Sequence, residues 1–174
     1  MYQEKINIPE ERIAVLIGKK GETKRDLQRR LRIRLEVNSK TGMVSISGED
    51  SVDVFNAQPV INAIAHGFSP AVAKLTLREC FCLELINIED FSGDSKKKMI
   101  RLKSRVIGTK GKSRIMIEKM TNCNVCVYNK TVGVIGPVEN VNIARLAVEK
   151  LLGGAPHGHV YKFIQDIKLK NDIK

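Results

Sequence analysis

Two short glycine-bounded corners, Gly18-Lys19-Lys20-Gly21 and Gly108-Thr109-Lys110-Gly111, stand 90 residues apart in this chain, and the segments around them match. Each follows an apolar pair, Leu16-Ile17 or Val106-Ile107. The offset continues downstream: Leu27 falls on Ile117, Leu35 on Val125, Val37 on Val127, Lys40 on Lys130 and Thr41 on Thr131. It then slips by two at a hairpin, so that Gly48 matches Gly136. An internal repeat restricts the fold more than any single helix or strand signal, because both copies must solve one packing problem. Within 174 residues it leaves two units of about 70 residues each, which is domain-sized.

Local signals follow one order in each copy. Lys5-Ile6-Asn7-Ile8 alternates as a half-buried strand should. Pro9 suits the start of a helix, with Glu10 and Glu11 at the favourable end of its dipole, and Gly18 stops that helix. A second helix is expected from Glu22 to about Arg30. Strict alternation from Arg32 to Val37 predicts a strand with Ile33, Leu35 and Val37 on one face. Ser39–Gly42 reads as a turn, Val44–Ser47 as the returning strand, and Ser51 as the cap of a helix to about His66 with Pro59 as a kink or boundary.

The second copy repeats this with a strand at Phe81–Asn87, helices at Lys97–Ile107 and Lys112–Met120, strands at Asn124–Tyr128 and Val132–Ile135, and a helix from Pro137 to Leu152. Ser69–Leu75 reads as a short capped linking helix that packs between the copies, and Val160–Ile173 as a tail helix docked by one face. The expected class is α+β: two βααββα units, each a three-stranded antiparallel sheet with helices on one face. Boundaries are expected at 1–68 and 79–154, with a linker at 69–78 and a helical tail at 155–174.

Charge gives the corners a chemistry. The chain carries 30 Lys and Arg against 19 Asp and Glu, a net +11, which favours a polyanionic partner. Residues 19–34 hold eight bases and two acids, and residues 96–119 hold ten bases and one acid. Both clusters centre on a glycine corner, and the second is the stronger. A main chain without Cβ atoms lets a sugar–phosphate strand lie close, and the amides opening the next helix meet phosphate with the positive end of the dipole. Ile17 and Val37, or Ile107 and Val127, offer an apolar floor for bases. The same aliphatics also suit ordinary core packing. Aromatics are only 5%, which disfavours recognition by stacking platforms; Tyr128 is the one placed for it.

The order of elements, with Ile-Gly-Lys-Lys-Gly and Ile-Gly-Thr-Lys-Gly between helices, resembles tandem type I KH domains, whose loop grips about four unpaired nucleotides. The linking Phe68-Ser69-Pro70 and the closing Gly153-Gly154-Ala155-Pro156-His157, then Val160-Tyr161, are similar to the archaeal branch of the partner-of-Nob family of small-subunit ribosome assembly. In eukaryotic members of that family the first unit has typically lost its glycine corner; here it is intact. The resemblance implies a non-enzymatic, cytoplasmic binder of single-stranded RNA at the 3′ region of small-subunit pre-rRNA. It also implies partners among the Nob endonuclease, the dimethyladenosine transferase and an initiation-factor subunit. The RNA-contacting residues expected are Ile17, Gly18, Lys19, Lys20, Gly21, Lys24 and Val37 in the first copy. In the second they are Arg105, Ile107, Gly108, Thr109, Lys110, Gly111, Lys112, Arg114 and Val127, and this copy is expected to be the main site. A general mRNA-binding regulator and a protein-interaction scaffold are the other readings.

Other classes fit worse. Gly111-Lys112-Ser113 ends like a phosphate-binding P-loop, but the required first glycine falls on Val106. Cys80/Cys82 and Cys123/Cys126 lie in strand-like apolar runs, where free thiols serve as small hydrophobes; only the second pair has zinc-knuckle spacing, so no metal is expected. His157-Gly158-His159 reads as a polar connector. The acids Glu89, Asp90 and Asp94 read as helix caps rather than a nuclease centre. No cofactor and no membrane span are expected, and the amino terminus lacks the build of a signal peptide.

Overall fold

The computed structural model describes residues 1–172. They form two units, Met1–Glu79 and a second beginning at Cys80. In the first, β1 (Tyr2–Asn7), α1 (Glu10–Ile17), α2 (Glu22–Leu31), β2 (Arg34–Asn38), β3 (Met43–Gly48) and α3 (Ser51–Ala65) give the βααββα order, and α4 (Pro70–Ala73) follows. The second repeats it with β4 (Phe81–Asn87), α6 (Lys96–Ile107), α7 (Lys112–Thr121), β5 (Asn124–Tyr128), β6 (Thr131–Pro137) and α8 (Val138–Leu152). A single turn, α5 (Glu89–Ser92), is added after β4, and α9 (His157–Asp172) closes the chain.

Each sheet is antiparallel, in the orders β1-β3-β2 and β4-β6-β5, so the strand after the helix pair lies at an edge. Registers place Leu35 opposite Ile46 and Val37 opposite Val44, with Val125 and Val127 opposite Val134 and Val132. The two-residue period turns these side chains to the helical face. There Leu35, Val44 and Ile46 are buried with Leu16, Leu27, Ile61 and Ile64 in the first unit. Val125, Val132 and Val134 share the second core with Val106, Ile117, Val148 and Leu151. Each such side chain contributes about 1.5–3 kcal/mol on burial.

Several local outcomes differ from the sequence expectations. Asp50, not Ser51, caps α3, its carboxylate accepting from the Val52 N–H at 2.8 Å. Pro59 neither starts nor ends that helix. It lies inside α3, where it cannot donate to the carbonyl of Phe55, a residue whose side chain faces water. Arg32 is not yet strand: it takes the left-handed conformation that closes α2, as Asn122 does for α7. The first strand runs Tyr2–Asn7, earlier than its alternation suggested, because β1 is an edge strand paired to β3 along its whole length. Ser95 rather than an acid caps α6, while Glu89 and Asp90 enter the first turn of α5 and Glu89 pairs with Lys130.

The linking segment forms α4, capped by Ser69, and a following 3-10 turn over Lys74–Leu77; both pack on α3 within the first unit. His157-Gly158-His159 is the first turn of α9, not a connector. That helix buries Val160 and Ile164 against α7 and α8, with Lys150 Nζ 4.7 Å from the centre of the Phe163 ring. Ile173, where the tail helix was expected to end, lies outside the described residues. Cys123 is buried where β6 passes, and a Cβ on Gly136 would come within 2.6 Å of its Sγ. Burial pushes the Cys123 thiol up to about 11, so it serves as a packed hydrophobe.

Candidate nucleic-acid interface

Both helix–helix corners use the same main-chain path. Gly18 and Gly108 end α1 and α6 at φ near +75° and ψ near 172°, a region practically reserved for glycine. Lys20 and Lys110, each at φ 52°, then enter the left-handed region, followed by Gly21 and Gly111 at φ 77° and 75°. The turn is closed by Gly21 N–H to Gly18 O and Gly111 N–H to Gly108 O, both at 3.1 Å. Neither α2 nor α7 has a side-chain cap at the glycine that starts it.

The two glycines of each corner do different work. A Cβ at Gly18 would lie 2.8 Å from the main-chain nitrogen of Thr23, and one at Gly108 would lie 2.7 Å from that of Ser113. The first glycine is therefore pressed onto the start of the next helix. At Gly21 and Gly111 the nearest atoms are Arg25 Nε at 3.9 Å and Ile115 Cδ1 at 3.8 Å. The second glycine shows its bare face outward, where a ligand chain can approach.

Around the second corner, Thr109, Lys110 and Lys112 are exposed, and Ile107 is 37% exposed at the end of α6. The facing wall is the edge strand β5. Glu118 Oε1 accepts from the Val125 N–H at 2.8 Å, and Arg114 donates to the Val125 carbonyl at 3.3 Å. Main-chain groups alternate sides along a strand, so Val127 turns its N–H and C=O to the side that Val125 shows to α7. The first unit matches this through Gln28 Oε1, which accepts from Leu35 N–H at 2.9 Å, with half-buried Val37 beyond it. The helix start, Ile107 and the outer edge of β5 are the accessible elements that the expected site of the second unit calls for. Ile17, Lys24 and Val37, each half-buried, are their counterparts in the first. Gln28 and Glu118 were missed from the sequence, although they match at the same 90-residue offset.

Arg105 stands apart from the other expected residues. Its guanidinium donates to the carbonyls of Leu151 at 3.1 Å and Ala155 at 2.6 Å, tying α6 to the end of α8. Arg12 does the same in the first unit, to Ile64 O at 2.7 Å and Phe68 O at 2.6 Å, although the two arginines do not coincide in the repeat. Arg114 divides its role, since it also lies 3.5 Å from Glu118.

The corners differ in charge at the decisive place. Lys112 opens α7, whereas Glu22 opens α2, so the first turn of α2 carries an acid where that of α7 carries a base. Arg25 is also folded back onto the first corner, donating to Lys20 O at 2.8 Å and Gly21 O at 3.2 Å, where the second has Ile115. The Glu22→Lys variant should therefore strengthen whatever RNA binding the first unit has, by about tenfold at low salt, read from titrations in a Gly111→Asp background. An unchanged affinity would show that Glu22 does not face the ligand.

Asp26, one turn into α2, accepts from Lys74 Nζ at 2.9 Å and from Arg30 Nε at 2.8 Å. These partners, Lys74 first, hold its carboxyl down at about 2. The folded value lies below the ordinary one near 4, so this anchorage of the 74–77 turn is complete above about pH 4 and fades as pH falls toward 2. Asp26→Asn should lower the urea midpoint of the first unit at pH 6 and flatten its acid dependence between pH 4 and 2. An acid limb identical to that of the parent would remove Asp26 as its cause.

A three-stranded antiparallel sheet carrying a helix–Gly-x-x-Gly–helix corner on one face defines a type I KH unit, and this chain holds two. The model described as a eukaryotic-type KH-domain (KH-domain type I), for the second such domain of PNO1, matches residues 82–169, and the general KH-domain model matches residues 3–63. A KH domain-containing protein of Methanocaldococcus jannaschii is 43% identical over 164 residues, covering 92% of this chain and 71% of that one. The RNA-binding protein pno1 of Dictyostelium discoideum is 27% identical over 172 residues, covering 94% and 70%. Among solved structures, the complex of a/eIF2alpha, aDim2p and rRNA from Pyrococcus horikoshii matches with a TM-score of 0.90 at 40% identity, covering 97% of this chain and 95% of that one. The chain belongs to the type I KH-domain family, in its PNO1 branch.

Proposed function

We propose that this protein is a non-catalytic binder of unpaired RNA, and that its ligand is the 3′ region of small-subunit rRNA during ribosome maturation. The observation that carries the reading is the open face of Gly111 beside Lys110 and Lys112, at an uncapped helix start. A phosphate there meets main-chain amides and two mobile cations, while adjoining bases lie on Ile107 and Val127 and pair with the outward N–H and C=O of Val127. The first unit contributes more weakly, because Glu22 opposes the same contact. Support for rRNA comes from the solved complex in which a similar chain is named with rRNA and a/eIF2alpha. An initiation-factor subunit is accordingly the first protein partner to test, with the Nob endonuclease and the dimethyladenosine transferase as further ones, in the cytoplasm.

Crosslinking in cells followed by mapping of the bound RNA tests this. Enrichment at the 3′ end of small-subunit rRNA is expected. A scatter over messenger RNAs would replace the rRNA reading by the regulatory one, and protein partners retained without any RNA affinity would favour the scaffold.

A further inference from the structure

The second corner has another flank. A recess of about 440 Å³ opens between the end of α6, the Gly108–Gly111 corner and the first turns of α7 and α9. Arg101, Ser104, Lys112, Ser113, His157 and Tyr161 line it. At about 100° per residue, Arg101 falls about 120° around α6 from Ile107, so the recess and the groove lie on different flanks of that helix. Helix α9 supplies the far wall.

Its chemistry suits a nucleotide. Ser113 is 3% exposed, and its Oγ has no hydrogen-bond partner among the described residues. An orphaned buried hydroxyl is destabilising unless something outside the protein completes it. Two exposed cations, Arg101 and Lys112, stand at the mouth, and Ser113 lies in the first turn of α7, where helix amides favour an anion. His157 is held in place, because its Nε2 donates to the Arg105 carbonyl at 2.8 Å. Half-buried Tyr161 lies beside it, ring centres 6.3 Å apart at 55°.

We infer that this recess is a second nucleotide subsite, continuing the strand that the groove holds. A phosphate leaving the corner is taken by Arg101, Lys112 and the Ser113 hydroxyl, and the attached base rests against Tyr161 and His157. The inference depends on the RNA reading above and extends it from the four nucleotides of a KH groove to a longer path. It also assigns a binding role to an aromatic residue in a chain otherwise poor in them.

The test measures affinity for a four-nucleotide RNA and for the same RNA lengthened by four nucleotides at its 5′ or its 3′ end. The full chain should bind one of the lengthened forms about tenfold more tightly than the short one. Arg101→Glu, at an exposed position, and Tyr161→Ala should each remove most of that gain while leaving the short RNA within about twofold; Tyr161→Phe should keep it. Ser113→Ala should lose about threefold on the lengthened RNA and none of the protein's stability. If Tyr161→Ala loosens α9, seen as lost helical circular dichroism, Arg101→Glu decides alone. A gain that survives Arg101→Glu, or the absence of any gain on lengthening, overturns the subsite and leaves the groove standing. Failure of the short RNA to bind at all strikes the groove reading itself, and the subsite falls with it.

Discussion

Gly111→Asp is expected to weaken binding of short unpaired RNA by about a hundredfold or more while the second unit stays folded. The backbone there is left-handed, with φ 75° and ψ 9°, which aspartate tolerates better than most residues, at about 1 kcal/mol. A Cβ at this point meets nothing nearer than Ile115 Cδ1 at 3.8 Å, so the core is undisturbed. What changes is the ligand's side of the corner. The bare face acquires a carboxylate at the helix start, which repels phosphate and satisfies the amides that phosphate would use. A loss of that size corresponds to about 2.7 kcal/mol, within reach of one charged group placed against another at short range. Titration with labelled RNA gives the affinity, and the slope of log affinity against log salt should fall by about one phosphate contact. Gly21→Asp should do much less, since Glu22 already stands there. Normal binding by Gly111→Asp would remove the corner from the interface.

Much of this was legible in the sequence because repetition checks itself. Strand, corner and hairpin signals that are weak alone become firm when they recur at one offset, and both three-stranded sheets came out as read. What the sequence did not show has a physical origin in groups whose partners lie far along the chain. Arg105 looked like one more base in a basic helix, yet its donors are used on carbonyls 46 and 50 residues away, which no local pattern encodes. Pro59 obeyed tertiary packing rather than its own propensity, since α3 buries Ala57, Val60, Ile61 and Ile64 on the sheet. His157 was read as a connector because the recess it lines with Tyr161 exists only once α9 folds back beside α7. Glu22 was visible in the sequence but was noted only as one of two acids among eight bases. Its weight comes from standing at a helix start, a matter of position rather than of count.

The other glycine of the motif should behave in the opposite way. Gly108→Ala is expected to destabilise the second unit by about 3 kcal/mol or more, and to lose RNA binding only as a consequence. Its φ of 74° and ψ of 173° lie where an L-residue clashes with its own main chain, and the new methyl would sit 2.7 Å from both the nitrogen and the Cβ of Ser113. Main-chain nitrogen cannot swing aside as a side chain can, so α7 would have to shift, and Ile117 and Thr121 with it, both buried along that helix. Gly111→Ala, in the left-handed region with open space around it, should cost only about 1 kcal/mol. Urea midpoints of the two alanine variants measure the difference. Adding Ser113→Gly to Gly108→Ala removes one of the two contacts and leaves the other with the torsional strain, so recovery should be partial. Full recovery would mean that the Ser113 side chain alone excludes a Cβ at Gly108, and equal midpoints for the two alanine variants would dissolve the distinction between a packing glycine and a ligand-facing one.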